Sequence, residues 1–277
     1  MNRLGPYEVG EELARGAMGV VYRARDSFLD RPLALKVIGA DAFDPEGQER
    51  FRREALVLAR LRHTRIVAVH GAGLTSKGQP YLVMDLVSGG SLSQRLQSGP
   101  LPPREAVRLA TQVAEATAYA HTQGVLHRDI KPANVLIGPD GKARLCDLGL
   151  AREEGLSSQA TASSDTLGTP CYMSPEQARG PREVGPPADV YSLGVTLFHA
   201  AAGRPPFNEE SGIVVMSRHL FDGVPDVRTL RPGLSPDLAR LIWRLTRKDP
   251  SDRPSAAQAA AELTTLKLRD QRVLRAA

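Results

Sequence analysis

The chain has 277 residues, of which 42% are hydrophobic, so it can form one large or two ordinary domains with a sizeable core. Its net charge is +5, but Lys and Arg are spread without a long run, which favours a solvated surface over a nucleic-acid patch. Cys146 and Cys171 lie far apart in the sequence and form no Cys-x-x-Cys pair, so neither a metal site nor a disulfide framework is indicated. A reducing cytoplasm fits this pattern best. No signal peptide is evident, and the longest apolar run, around Val190 to Ala202, is too short and mixed to span a bilayer.

The chain begins with a pattern typical of a β-hairpin. Tyr7 to Val9 and Val20 to Ala24 alternate as two strands, with a turn from Ala14 to Gly19 between them. Gly16 and Gly19 in that turn would let backbone amides approach phosphates closely. Taken alone, however, such a turn is more often only a hairpin.

A lysine interrupts the next apolar strand, Leu33 to Ile38. In isolation, Lys36 would be interpreted as an edge residue with a snorkelling stem. The segment from about Pro45 to Arg62 has apolar residues at helical spacing, and this helix would place Glu54 within reach of Lys36.

Two further strands, Ile66 to Gly71 and Tyr81 to Val87, complete a predicted set of five. The flexible stretch Ser88-Gly89-Gly90 follows, and the remaining pattern is mainly helical. We therefore predict a division of the chain into residues 1–87 and 88–277.

A short connection in the second part concentrates polar groups suited to phosphate chemistry. A helix from about Pro102 to Gly124 leads to His127, and Asp129, Lys131 and Asn134 follow at once. A second carboxylate, Asp147, comes after a short strand. Phosphoryl transfer from a nucleotide depends on positioning and on neutralisation of phosphate charge, and this set suits both.

In this order and spacing, the motifs resemble those of the eukaryotic-like Ser/Thr protein kinases. The phrases Gly-Ala-Met-Gly-Val-Val-Tyr-Arg-Ala-Arg-Asp and Tyr-Met-Ser-Pro-Glu-Gln-Ala-Arg-Gly look most like the bacterial branch of that family. The resemblance implies an α+β, bilobal protein kinase fold, with a small five-stranded antiparallel lobe carrying one helix and a larger, mainly helical lobe. Two positions depart from the family pattern: Ala14 replaces the first glycine of the loop, and Leu148 replaces the usual Phe after Asp147.

The resemblance also implies a role for individual residues. Asp129 would accept or orient the proton of the substrate hydroxyl, Lys131 would steady the γ-phosphate, and Lys36 would pair with Glu54. Asn134 and Asp147 would hold Mg²⁺, or Mn²⁺ in its place. His127 is interpreted as a packed residue rather than as the base. The residues expected to bind ATP are Ala14, Gly16, Gly19, Val21, Ala34, Lys36, Met84, Asp85, Val87 and Leu136.

The segment from Gly149 to Glu176 resembles a kinase activation segment. Its expected phosphorylation sites are Thr161 and Ser163, with Thr166 in reserve, and Arg128 would pair with the phosphorylated loop. At its end, Thr169 would bond the catalytic loop. Glu176 would form a buried ion pair with Arg253. Asp189 would accept hydrogen bonds from the catalytic-loop backbone, although alone it is equally typical of a helix N-cap.

The sequence thus predicts a Ser/Thr protein kinase that transfers the γ-phosphoryl group of Mg-ATP to protein hydroxyl groups and phosphorylates its own activation loop. The expected partners are ATP, protein substrates and a second copy for trans-autophosphorylation, with no nucleic acid and no membrane span. Ser91 and Ala133 stand where basophilic kinases carry glutamates, so no strong demand for upstream arginine is expected. Two alternatives are a pseudokinase scaffold, supported only by Ala14 and Leu148, and a small-molecule kinase.

Overall fold

The computed structural model describes residues 3–16, 19–39, 45–149, 170–180 and 184–266. The chain divides into two compact units, Met1–Gly89 and Gly90–Ala277. The first contains a β-sheet and one helix, and the second is mainly helical.

The first unit contains an antiparallel sheet of six strands, in the order β1-β2-β3-β4-β6-β5. Strongly apolar strands lie at its centre, where Leu33 and Leu35 of β4 and Val83 of β6 are almost completely buried. The strands are β1 (Arg3–Leu4), β2 (Tyr7–Gly16), β3 (Gly19–Asp26), β4 (Arg31–Ile38), β5 (Val69–Leu74) and β6 (Pro80–Asp85).

The predicted number of five strands is wrong by one. Arg3–Leu4 forms an additional short strand because Gly5, with φ of +56°, turns the chain back and lets Leu4 pair with Tyr7. Leu4 is 7% exposed and packs in the core cluster of the sheet, so burial of one leucine stabilises this edge. A two-residue strand carries no alternation that the sequence could reveal.

The helix of the first unit, α1 (Pro45–Leu58), packs against β5 and β6. Phe51, Ala55 and Leu58 recur at helical spacing and are buried, which explains why this stripe faces the sheet. The last two predicted strands of this unit have different bounds in the structure. The first begins later than predicted, because β5 begins at Val69, and the second ends earlier, because β6 ends at Asp85.

The second unit is built around α5 (Pro186–Ala202), in which all but a few side chains are buried. Its Leu193, Leu197 and Phe198 are at most 1% exposed, so this helix forms the core and the others cover it. A two-stranded sheet, β7 (Val135–Ile137) with β8 (Ala143–Leu145), follows the predicted catalytic loop. The helices are α2 (Leu92–Leu96), α3 (Pro103–Thr122), α4 (Pro175–Arg179), α5 (Pro186–Ala202), α6 (Gly212–Phe221), α7 (Pro236–Leu245) and α8 (Ala256–Thr265).

Two short helices, α2 and α4, were not predicted because five residues are too few to show a helical period. Both begin with a capping box, Ser91 with Gln94 and Ser174 with Gln177, which satisfies backbone N–H groups at the helix start. Within the described residues, no helix combines the length and the apolar character needed to cross a membrane.

Candidate active site

In the first unit, strand register gathers the residues predicted to bind nucleotide. Ala14 pairs with Val21, Val21 pairs with Lys36, and Lys36 pairs with Leu82, so these residues form one row across four strands. Directly paired residues share a face of an antiparallel sheet. Ala34, two residues before Lys36, lies on the same face and pairs with Met84. This part of one sheet face therefore carries apolar side chains around the cation of Lys36.

Lys36 is only 4% exposed, although it is a cation in an apolar strand. It lies well inside β4, paired on both sides, so the interpretation as an edge residue is wrong. Glu54 lies half-buried on α1, one residue before the buried Ala55. The ion pair between Lys36 and Glu54 stays a prediction.

The two glycines of the loop have different environments. Gly19 has a φ of +128°, and a Cβ there would collide with the carbonyl oxygen of Val37. Gly16 pairs with Gly19, and a Cβ on it would meet no atom of the described residues within 4 Å. The close approach of β3 to β4 therefore accounts for Gly19 without a ligand, whereas packing gives no reason for Gly16.

The predicted hinge begins where β6 ends. Met84 is buried, and the carboxylate of Asp85 lies 2.6 Å from Nε2 of His70, so this side chain is held by the neighbouring strand β5. Val87 is half-buried just beyond the strand.

In the second unit, the predicted catalytic loop holds three functional side chains together. Oδ2 of Asp129 lies 2.8 Å from Nζ of Lys131 and accepts a hydrogen bond of 3.0 Å from Nδ2 of Asn134. Asn134 also donates to the carbonyl oxygen of Asp129, at 2.8 Å. Nothing in the described part of the chain donates to Oδ1 of Asp129. Within the described residues, Oδ2 of Asp129 is therefore fixed by two neighbouring side chains.

His127 is fully buried and bonded to backbone through both ring nitrogens. The N–H of Asp129 donates to Nδ1 at 3.2 Å, so Nε2 carries the proton and donates to the carbonyl oxygen of Cys146 at 2.9 Å. Neither nitrogen is available to a substrate. The structural interpretation of His127 therefore agrees with its environment.

The segment after β8 carries Asp147 and Leu148 and is bonded to the predicted catalytic loop through Cys146. The N–H of Cys146 donates to the carbonyl oxygen of Asn134 at 3.0 Å, which ties the two segments together. Asp147 has a left-handed backbone, with φ of +61°, which is costly for a non-glycine residue and concentrates at functional sites. Leu148 is 3% exposed, so its side chain packs in the core despite the departure from Phe.

Asp189 anchors the catalytic loop from the first turn of α5. Its carboxylate accepts hydrogen bonds from the backbone N–H groups of His127, at 2.9 Å, and Arg128, at 2.7 Å. The N-cap of α5 is Gly185, so the N-cap alternative for Asp189 is wrong. Arg128 has a φ of +66°, and the two backbone N–H groups that donate to Asp189 help to hold this strained conformation.

The predicted docking end of the activation segment is fixed by a buried ion pair. The guanidinium of Arg253 donates to both carboxylate oxygens of Glu176, at 2.6 and 2.9 Å, and the two side chains are 0% and 3% exposed. Arg253 also donates to the carbonyl oxygens of Pro187, Arg247 and Lys248. This bidentate, fully bonded geometry is the condition under which a buried pair is maintained.

Some predicted residues lie outside the described part of the chain, namely Thr161, Ser163, Thr166 and Thr169. Conversely, sequence reasoning missed residues that hold the site. His121 bonds Asp189 at 2.8 Å, and Nε2 of Gln177 donates to the carbonyl oxygen of Arg128 at 2.7 Å. The capping pattern of Ser174 and Gln177 was the only available signal for Gln177, and it indicates a helix start, not a partner.

The oxygen donors of the second unit fit a Mg²⁺ ion that is brought with a nucleotide. Mg²⁺ is usually held by one or two carboxylates together with phosphate oxygens and water, and Asn134 and Asp147 offer an amide oxygen and a carboxylate. Among the described residues, no group of three or more His, Cys, Asp or Glu side chains could hold a metal without a nucleotide.

Comparison with known proteins identifies the family. The family model of the protein kinase domain matches residues 7–263. The chain is 39% identical to serine/threonine-protein kinase PknB of Mycobacterium leprae over 93% of its own length and 42% of the relative. It is 37% identical to the DNA damage-responsive serine/threonine-protein kinase RqkA of Deinococcus radiodurans, over 96% of this chain and 40% of that protein. The chain thus spans about two fifths of the length of these relatives.

A solved structure shows the same fold. The crystal structure of the Mycobacterium tuberculosis PknI kinase domain aligns with a TM-score of 0.75 and 32% identity, covering 95% of this chain and 96% of that one. The predicted protein kinase fold is confirmed, with six strands in place of five. The chain therefore belongs to the protein kinase family, among the eukaryotic-like Ser/Thr kinases of bacteria.

Proposed function

We propose that the chain is a Ser/Thr protein kinase that transfers the γ-phosphoryl group of Mg-ATP to Ser and Thr hydroxyl groups of proteins. The observation that carries the proposal is the cluster of Asp129, Lys131 and Asn134, in which both neighbours hold Oδ2 of Asp129. The names of the bacterial relatives, which are serine/threonine-protein kinases, support the same activity.

Asp129 is the proposed proton acceptor for the substrate hydroxyl group. Its Oδ2 is fixed by Lys131 and Asn134, so Oδ1 can point toward a hydroxyl without a change of rotamer. A carboxylate positioned in this way contributes general-base catalysis, typically about 10²–10⁴-fold. Lys131 has a second proposed role as the cation that steadies the transferred phosphoryl group.

The first unit is the proposed nucleotide-binding lobe. Its row of Ala14, Val21 and Lys36, extended by Ala34 and Met84, offers an apolar surface for the adenine ring and a cation for the α- and β-phosphates. The backbone of Asp85 and Val87 is the proposed adenine-binding hinge. For Leu136 of β7, which is half-buried in the second unit, a role in nucleotide binding stays a prediction.

Bound Mg²⁺ would neutralise charge on the phosphate oxygens of ATP. The proposed contribution of this chain is to hold it through the amide oxygen of Asn134 and the carboxylate of Asp147. The hydrogen bonds from Nδ2 of Asn134 to Asp129 orient the amide, so that its oxygen faces away from Asp129.

The proposed substrates are proteins rather than small molecules, because the ion pair of Glu176 with Arg253 anchors a segment that small-molecule kinases do not need. No strong preference for arginine upstream of the target hydroxyl is expected, since Ser91 serves as the N-cap of α2 and position 133 is an alanine. A peptide array would test this preference.

The proposed activation mechanism is phosphorylation of Thr161, Ser163 or Thr166, with Arg128 as the partner of the new phosphate. Phosphorylation in trans by a second copy would make the rate depend on protein concentration. The proposed location is the cytoplasm, which supplies ATP and suits a chain whose two buried cysteines, Cys146 and Cys171, have the spacing of neither a disulfide framework nor a metal site.

The experiment is incubation with Mg-ATP, followed by intact-mass and phosphopeptide analysis, for the unmutated chain and for Asp129→Asn. We expect phosphate on Thr161, Ser163 or Thr166 in the unmutated chain only. Asn at 129 has nearly the same shape, so its fold should persist, and thermal melting provides the control.

The pseudokinase alternative predicts a different result, namely binding of nucleotide without incorporation of phosphate. The burial of Leu148 removes one of the two features that favoured it. A chain pre-phosphorylated by another kinase would show whether a missing activator explains a negative result.

A further inference from the structure

The turn Pro170–Tyr172, at the proposed docking end of the activation segment, is held from two sides by pairs of tyrosine and histidine. In one pair, His219 is bonded both to Tyr191 and to the backbone carbonyl oxygen of Cys171. In the other, His199 is bonded to the hydroxyl of Tyr172, which belongs to the turn itself. Neither histidine belongs to the catalytic loop or to the ion pair described above.

The first pair is buried. His219 of α6 is 0% exposed, its Nε2 lies 3.1 Å from the carbonyl oxygen of Cys171, and its Nδ1 lies 2.8 Å from the hydroxyl of Tyr191 on α5. The ring of Phe207 packs edge-on against it, with centroids 4.9 Å apart. Nζ of Lys248 donates to the backbone carbonyl of His219 and so fixes the end of α6.

The second pair is nearer the surface. The hydroxyl of Tyr172 lies 2.6 Å from Nδ1 of His199 on α5, and the two rings stack with an interplanar angle of 14°. Oγ of Ser192 donates to the carbonyl oxygen of Tyr172 at 2.8 Å. Both the backbone and the side chain of Tyr172 are thus tied to α5.

The direction of the hydrogen bonds at His219 follows from its partners. A carbonyl oxygen can only accept, so Nε2 carries the proton and Nδ1 accepts from Tyr191. Burial lowers the pKa of His219 and of His199 to about 4, so both rings are neutral at pH 7. Each neutral ring therefore uses a different nitrogen to hold the turn, Nε2 for His219 and Nδ1 for His199.

We propose that His219 and His199 are positioning residues that hold the turn Pro170–Tyr172 in the conformation that docks the protein substrate. The proposal rests on the proposed kinase activity and adds the residues that shape its protein-binding segment. It concerns affinity for the protein substrate, and neither histidine takes part in phosphoryl transfer or nucleotide binding.

Substitution of each histidine by asparagine or by glutamine tests which ring nitrogen holds the turn. The amide of asparagine falls near the position of Nδ1, and that of glutamine, one methylene longer, falls near Nε2. We expect His219→Gln to keep the bond to Cys171 and His219→Asn to lose it, with a rise in the KM for a protein substrate of about 3- to 10-fold. At His199 the order should be reversed, with asparagine tolerated and glutamine harmful.

Two measurements separate positioning from general damage to the fold. The KM for ATP and the kcat should stay within about twofold in all four variants, as in the surface control Arg240→Gln, whose side chain is 68% exposed. Equal effects of asparagine and glutamine at each position, or a parallel rise in the KM for ATP, would overturn the proposal.

Hydrogen exchange of peptides that cover residues 170–174 gives a readout that does not need activity. The amide of Met173 donates to the carbonyl oxygen of Pro170, and its exchange should accelerate in His219→Asn and His199→Gln but not in the converse variants. Absence of phosphate transfer by the unmutated chain, also after pre-phosphorylation by another kinase, would refute the kinase activity, whereas unchanged exchange in all four variants would refute the positioning role.

Discussion

The two units place their functional residues by different physical means. In the first unit, Ala14, Val21 and Lys36 are aligned by backbone pairing of neighbouring strands. In the second unit, the predicted catalytic loop is held by side chains from distant segments. Asp189, for example, accepts hydrogen bonds from the backbone of His127 and Arg128, more than 60 positions earlier in the chain. Damage to the first unit should therefore act through strand register, and damage to the second through single anchors.

The difference also concerns strain at the predicted site. There, the left-handed, non-glycine residues Arg128 and Asp147 belong to the second unit, where several hydrogen bonds hold each segment. In the first unit, the unusual conformation in the predicted phosphate-binding loop falls on Gly19, for which it costs little, and the left-handed Asp30 lies in the turn between β3 and β4.

The largest expected effect is a loss of kcat when a residue of the second unit, Asp129, is replaced. Asp129→Asn should lower kcat by about 10²–10⁴-fold, because the proton acceptor is lost. Its affinity for ATP should stay within about twofold, since the proposed nucleotide face lies in the first unit. Steady-state kinetics and nucleotide titration check both parts, and a similar loss of ATP affinity would argue against separate roles.

The next effect is on stability. Glu176→Ala leaves the guanidinium of Arg253 buried without its carboxylate, and we expect a loss of about 3–5 kcal/mol in the free energy of unfolding. The matched control is Asp237→Ala, which removes an exposed ion pair with Arg240 and should cost less than about 1 kcal/mol. Urea denaturation measures both, and equal losses would show that the buried pair is no anchor.

A smaller effect is expected from the first unit. Gly19→Ala should cost about 1–3 kcal/mol, because the φ of +128° is strained for alanine and its Cβ would collide with Val37. It should also raise the KM for ATP by shifting β3 against β4. Gly16→Ala meets nothing within 4 Å, so it should leave stability unchanged. A rise in the KM for ATP in Gly16→Ala alone would instead indicate direct contact with phosphate.

The smallest effect is a dependence of stability on pH. His199 and His219 have a folded pKa of about 4, below the value near 6.5 of an unfolded histidine, so the unfolded chain binds more protons in between. Above pH 6.5 both histidines are neutral in the folded and in the unfolded chain, and the free energy of unfolding does not depend on them. As the pH drops from 6.5 toward 4, the free energy of unfolding falls by up to about 1.4 kcal/mol per pH unit for each histidine.

The charged and titratable neighbours of these histidines are few. Tyr191 and Lys248 contact His219, and Tyr172 contacts His199; both tyrosines are neutral in this range, because burial raises the pKa of each. Urea denaturation between pH 6.5 and 5 should show a flatter dependence in the double variant His199→Asn, His219→Gln. An unchanged slope would assign the dependence to other groups.

Sequence patterns predicted the long elements well, because α3 and β4 have a clear apolar period or run. They could not predict β1 and α4, which are too short to show one. The motif predicts the catalytic loop, but no local pattern indicates that His121 bonds Asp189, 68 positions later, or that Gln177 bonds the backbone of Arg128, 49 positions earlier. Such pairings depend on tertiary packing, which no local pattern encodes.

The most direct test of the kinase activity is identification of the phosphorylated amino acid after incubation of the chain with Mg-ATP and a mixture of unphosphorylated proteins. We predict phosphoserine and phosphothreonine in the substrate proteins, and none with Asp129→Asn. Phosphotyrosine as the main product, or no phosphate on any protein while nucleotide still binds, would contradict the proposed function.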